Sequence, residues 1–223
     1  MDHPVNFEEF YKELSKSVHT ILKPYGFRKK GNKFFKISED GFITLVELQK
    51  ERFNYADESA FQIFCGFAIY DPAVAKDKLH EWCMYTTLYI GNKGINQKGN
   101  WSSGNYYCLC KENLENPLFI NAVKDTPANL QEMVLEVIET KVVPLIHEIN
   151  TSKDYFYSEY FHFHFIALDY LFALFGKDVL PYLQEQIDIY SHPSFADHEQ
   201  AQQLKAYYLR MYEKYSKQNE DEV

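Results

Sequence analysis

The chain has 223 residues, 46% of them apolar and 25% charged. That balance supports a packed core and excludes disordered, collagen-like and low-complexity classes. The formal net charge of −9 argues against a general nucleic-acid binder, which needs a positive surface facing phosphates. With only 9 Gly and 8 Pro, long regular elements are expected.

Asn6 followed by Glu9 has N-cap and N3 chemistry. Phe7, Phe10, Tyr11, Leu14, Val18, Ile21 and Leu22 then repeat at helical spacing, until Pro24 and Gly26 end the helix. Gly31-Asn32 marks a bend, Phe34–Ile37 is a short strand, and Ser38-Glu-Asp-Gly41 signals a hairpin turn that returns through a strand at Phe42–Gln49. Ala60–Tyr70 reads as a buried strand. Asp71-Pro72 opens a short helical or turn segment reaching about Trp82. Met84–Ile90 and Tyr106–Cys110 are two further strands. The stretch between them, Gly91 to Gly104, holds four of the nine glycines and reads as a long loop, the kind that in compact domains is usually functional.

From Thr126 the character changes. Thr126-Pro127 is an N-cap with Pro at the first helical position. Helical period then runs from Leu130 to Pro144, where a kink or restart is expected. Three more helices are predicted over about 156–175, 178–191 and 195–217. The expected architecture is α+β: an N-terminal helix, an antiparallel sheet of about five strands, and a four-helix C-terminal module packed on it. Residues 1–223 read as one domain, with the helix and sheet over 5–111 and the helical part over 126–217.

One segment carries a resemblance: Leu22-Lys-Pro-Tyr-Gly-Phe-Arg-Lys-Lys-Gly-Asn-Lys-Phe-Phe35, then the hairpin, a strand ending Val46-Glu-Leu-Gln-Lys50, and a strand of the type Phe61-Gln-Ile-Phe-Cys-Gly66. It resembles the bacterial family known as domain of unknown function 4304 over roughly the first seventy residues. The resemblance implies an α+β fold and brings no established activity, so no functional residue is carried over.

Charge is unevenly placed. Residues 1–111 hold 15 Lys/Arg against 13 Asp/Glu, and residues 112–223 hold 8 against 19. An electrostatic partner of the second half should therefore be basic. Met1-Asp-His-Pro4 lacks the marks of a secretory signal. The most apolar stretch, Phe161 to Phe175, is interrupted by His162, His164 and Asp169 and is shorter than the roughly 20 residues that cross a bilayer. A cytoplasmic protein is expected, with Cys65, Cys83, Cys108 and Cys110 as reduced thiols and no membrane association.

Four candidate sites emerge. Lys23, Arg28, Lys29, Lys30, Lys33 and Lys36 form a basic run free of acids, interleaved with Tyr25, Phe27, Phe34 and Phe35. It could meet phosphate or a single strand, or be the wet face of an edge strand, where Lys blocks sheet pairing. The 91–104 segment presents Lys93 and Trp101. Glu159, His162 and Asp169 share one face of the helix expected over 156–175, with Ser158, and a His–Asp pair there could line a cleft. His80, Cys83, Cys108 and Cys110 are ligand types for zinc, but the Cys-x-Cys spacing favours small buried hydrophobes. No cofactor is expected, and no nucleophile-elbow, phosphate-loop, dinucleotide or zinc-protease motif is present.

The leading expectation is thus a non-catalytic protein-binding domain with an acidic helical face, inhibitor- or immunity-like toward a basic protein. One alternative is an enzyme or small-ligand binder with a cleft between sheet and helices. Another, disfavoured by charge, is a single-stranded nucleic-acid binder through residues 23–36.

Overall fold

A computed structural model describes residues 6–50, 58–75, 87–91, 94–97, 106–110, 123–124, 126–161 and 168–218. The chain divides into two compact units, Met1–His162 and Phe163–Val223.

In the first unit, helix α1 (Phe7–Leu22) begins where Asn6 Oδ1 accepts the Glu9 N–H at 3.2 Å. Its apolar repeat buries Phe10, Tyr11, Leu14, Val18 and Leu22. A single 3₁₀ turn, Lys23–Tyr25, ends at Gly26, whose φ of 88° is left-handed. Strands β1 (Arg28–Lys30), β2 (Lys33–Ile37), β3 (Phe42–Lys50) and β4 (Glu58–Ile69) follow as an antiparallel meander. Of the two residues in the first turn only Gly31 takes positive φ, as a type II′ hairpin requires.

Among the described residues the sheet has eight strands rather than about five. Strand β4 is long enough to pair with β3 from Phe61 to Ile69 on one edge and to share its other edge. There Ile63–Gly66 face β5 (Thr87–Gly91) and Glu58–Gln62 face β7 (Tyr106–Cys110). Strand β6 (Gly94–Gln97) pairs with β5, Gly91 opposite Gly94. Part of the stretch expected as a loop over 91–104 is therefore strand. Strand β8 (Val123–Lys124) adds to β7 in parallel. The short helix α2 (Pro72–Ala75) opens where Asp71-Pro72 predicts it, with Asp71 Oδ1 accepting the Ala73 N–H; the rest of the segment expected to reach about Trp82 lies outside the described residues.

Strand alternation places Phe42, Thr44, Val46, Phe61, Cys65 and Phe67 on one face. Tyr11 meets Phe61 edge-on at 5.3 Å, and Phe42 and Phe67 stack beside Tyr155. Fully burying each such ring stabilises by roughly 1.5–3 kcal/mol. Ile43, Leu45 and Phe64 on the opposite face are buried as well.

Thr126 caps α3 (Pro127–Val137). A π-helical turn, Ile138–Val142, leads without a break into α4 (Val143–Glu148), where Val143 N–H reaches back to the Ile138 carbonyl. The sequence expects a kink or restart at Pro144; the wide turn just before it takes that place. Helix α5 (Ser152–Phe156) opens with a reciprocal capping box between Thr151 and Asp154. The helix expected over 156–175 is not continuous: α5 stops at Phe156, residues 157–160 form a turn, and among the described residues the next helix is Leu168–Phe175.

The second unit holds α6 (Leu168–Phe175), a 3₁₀ turn (Gly176–Val179), α7 (Leu180–Ser191), a 3₁₀ turn (Pro193–Phe195) and α8 (Glu199–Lys217). The last helix starts at Glu199 rather than near 195, with His198 as its cap. Tyr190 stacks on Tyr208, and Phe172 on Tyr215 with ring centres 4.1 Å apart.

Candidate functional site

The basic run of residues 23–36 folds into the outermost strands, and β1 is one edge of the sheet. Register decides where each cation goes. Arg28 lies opposite Phe35, Lys29 opposite Phe34, and Lys30 opposite Lys33. Pleating therefore divides the run between two faces, with Arg28, Lys30, Lys33 and Phe35 on one and Lys29, Phe34 and Lys36 on the other. Phe27 and Phe34 are buried, Phe34 stacking against His19, so only Tyr25 and Phe35 keep part of their rings exposed. Lys33 lies 3.5 Å from Glu47. Burial pushes the Glu47 carboxyl above its ordinary range, with the Lys33 charge working against that rise.

Arg28, Lys29 and Lys30 thus do not converge. Arg28 and Lys36 line a depression of about 650 Å³ with Gly26, Phe35, Ile37, Ser38, Glu39 and Pro72. Lys29 lines a different one of about 780 Å³, beside Tyr11, Lys12 and Lys50, where the Lys50 ammonium sits 4.1 Å from the Tyr11 ring centre. Lys36 donates to Asn150 Oδ1 at 3.0 Å. Arg28 has no ion pair or side-chain hydrogen bond among the described residues.

A third depression, about 840 Å³, runs between α1 and α3. Ile21, Ala128 and Leu135 supply apolar surface, Gln131 donates to Ser17 Oγ at 3.3 Å, and Glu132, Glu136 and Glu139 line the groove. All three carboxylates are exposed, and none has an ion pair among the described residues. The charge count located acidity in this half of the chain without locating this stripe. Its legible signal was the i, i+4, i+7 spacing of the three glutamates, which puts them along one helical side.

Glu159 is exposed in the turn after α5 rather than on a helix, so the one-helix face expected for Glu159, His162 and Asp169 does not form. His162 lies outside the described residues, as do Lys93, Trp101, His80 and Cys83. Asp169 Oδ1 accepts the Lys214 ammonium at 2.8 Å and the Tyr215 hydroxyl at 2.6 Å. These two bonds hold its carboxyl below the usual range. Burial, and the hydrogen bond to Asp169, push the Tyr215 phenol up. Cys65 is buried and its thiol is pushed up by burial, which makes it a poor nucleophile. Cys108 and Cys110 sit two apart on β7, opposite Ala60 and Glu58.

The model of the family described as Domain of unknown function (DUF4304) matches residues 18–148. The chain belongs to this family. The DUF4304 span starts inside α1 and ends with α4, and it contains every residue lining the Arg28 depression and all of those lining the glutamate groove but Ser17. The second unit, with Asp169 and Tyr215, lies outside the DUF4304 match. No curated protein and no solved structure matches the chain.

Proposed function

We propose that the chain is a non-catalytic protein-binding domain whose α1–α3 groove receives a basic segment of a partner protein, in an inhibitor- or immunity-like manner. The observation that carries this reading is the row Glu132, Glu136 and Glu139 beside Ile21, Ala128 and Leu135: three carboxylates with no ion pair among the described residues, along a shallow apolar trough. Such a trough complements an amphipathic segment with apolar anchors and Lys or Arg along one side. No helix among the described residues is long and apolar enough to cross a membrane, and we place the encounter in the cytoplasm.

The test uses the full chain as bait for host extract at low ionic strength, beside a Glu132→Gln/Glu136→Gln/Glu139→Gln variant. A partner should be retained by the parent chain, released as salt screens the charges, and lost by the variant. Equal retention by both chains, or no retained protein at low salt, overturns the reading.

A further inference from the structure

We propose that the depression where β1 runs out beside β2 binds a small aryl phosphate: one phosphate group on a flat apolar body. Strand β1 begins only at Arg28, opposite Phe35, whereas β2 continues to Ile37. The missing partner opens a hollow of about 650 Å³, within the range of small-ligand sites. Two cations line it. The Arg28 guanidinium has no acidic partner among the described residues and presents the fork of donors that suits phosphate. Lys36 is steadied by Asn150, a neutral acceptor at 3.0 Å, so its position is fixed while its charge stays available.

The backbone adds a donor. Ser38 N–H bonds to the Phe42 carbonyl of β3 at 2.9 Å. Alternation then turns the Ile37 N–H the other way, toward the side that β1 has already left. Phe35, Ile37 and Pro72 provide apolar surface for the ring. Glu39 stands on the same lining, leaving a net of one positive charge. That balance suits a single phosphate and disfavours a polyanion such as a nucleic-acid strand.

Calorimetric titration of the full chain at low ionic strength, with phenyl phosphate, inorganic phosphate and benzoate as probes, tests this. Phenyl phosphate should bind saturably and more tightly than either of the others. Arg28→Ala should weaken it about 10- to 100-fold, the range for a hydrogen bond to a charged group, and Lys36→Ala should weaken it in the same direction. Lys29→Ala, which lines the other depression, should leave it unchanged, and unaltered melting curves show that each variant is folded. No saturable binding of phenyl phosphate, wild-type binding by Arg28→Ala, or an equal loss in Lys29→Ala overturns the site. Benzoate binding as tightly as phenyl phosphate overturns the phosphate assignment.

Discussion

At Gly41 the backbone has φ of 73°, and the place a Cβ would occupy is already filled by the Tyr70 carbonyl oxygen. Tyr70 N–H also bonds to the Gly41 carbonyl at 3.1 Å, so the two chain segments cannot separate cheaply. Gly31 has φ of 64° but nothing within 4 Å of the same position. The pair separates a steric cost from a conformational one. Gly31→Ala should lose about 1–2 kcal/mol, the left-handed penalty alone. Gly41→Ala should lose at least about 3 kcal/mol, because a collision is added. Denaturant unfolding of the two variants measures the difference. Both glycines stand in turns that the sequence announces, but the close approach of Tyr70 depends on strand pairing and has no local signature.

Glu47 is a buried acid of the sheet, and its carboxyl is shifted up from 4.5. The folded chain therefore holds this proton more tightly than the unfolded chain does. Its contribution favours folding at low pH and declines as pH rises through 4.5 toward the higher folded value. Replacing Glu47 with Gln removes that decline. The melting temperature of Glu47→Gln relative to the parent chain should then be more favourable near neutral pH than in acid, as thermal melts across pH would show.

Among elements, the α3–α4 helix shows how a sequence pattern can be right and its consequence misread. At about 100° per residue, Val142 and Ile149 would swing roughly 100–120° from Leu130, whereas Leu145 would stay near Val134. The π turn at Ile138–Val142 holds one extra residue and takes back about that angle, so all five stay buried. It also leaves room for Pro144, whose ring would strike a carbonyl in an unbroken helix. Deleting Thr140, exposed within that turn, should cost about 3 kcal/mol, because Pro144 then lies in a regular helix. The same deletion with Pro144→Ala should recover most of the loss in thermal or denaturant melts. The helix read over 156–175 failed for a different reason. Ser158 Oγ donates to the Tyr155 carbonyl at 2.8 Å and accepts from Tyr160 N–H at 3.3 Å, a local competition that ends helices and that apolar periodicity does not register. The cap of α5 was legible in Thr151-Ser-Lys-Asp154, a capping-box spacing.

For the molecule as a whole, the order helix, hairpin, long strands, then helices was legible from turn residues and periodicity. The pairing of β4 with both β5 and β7 was not, because it joins segments far apart in sequence. Nor was the division of the chain at His162, since α3, α4 and α5 belong to the sheet's unit despite their helical character. Candidate sites were legible as residue types more than as groupings. The basic run was visible, yet strand register, unseen in composition, sends Arg28 and Lys29 to opposite faces.

The two-sided use of β4 has a kinetic consequence. Strands β1 to β4 are joined in chain order, so each closes onto its predecessor over a short span. Strand β7 reaches β4 only after β5 and β6 intervene, and closing that wider loop costs more chain entropy. Docking of β7 is thereby the later and slower event, and β4 must already be in place to receive it.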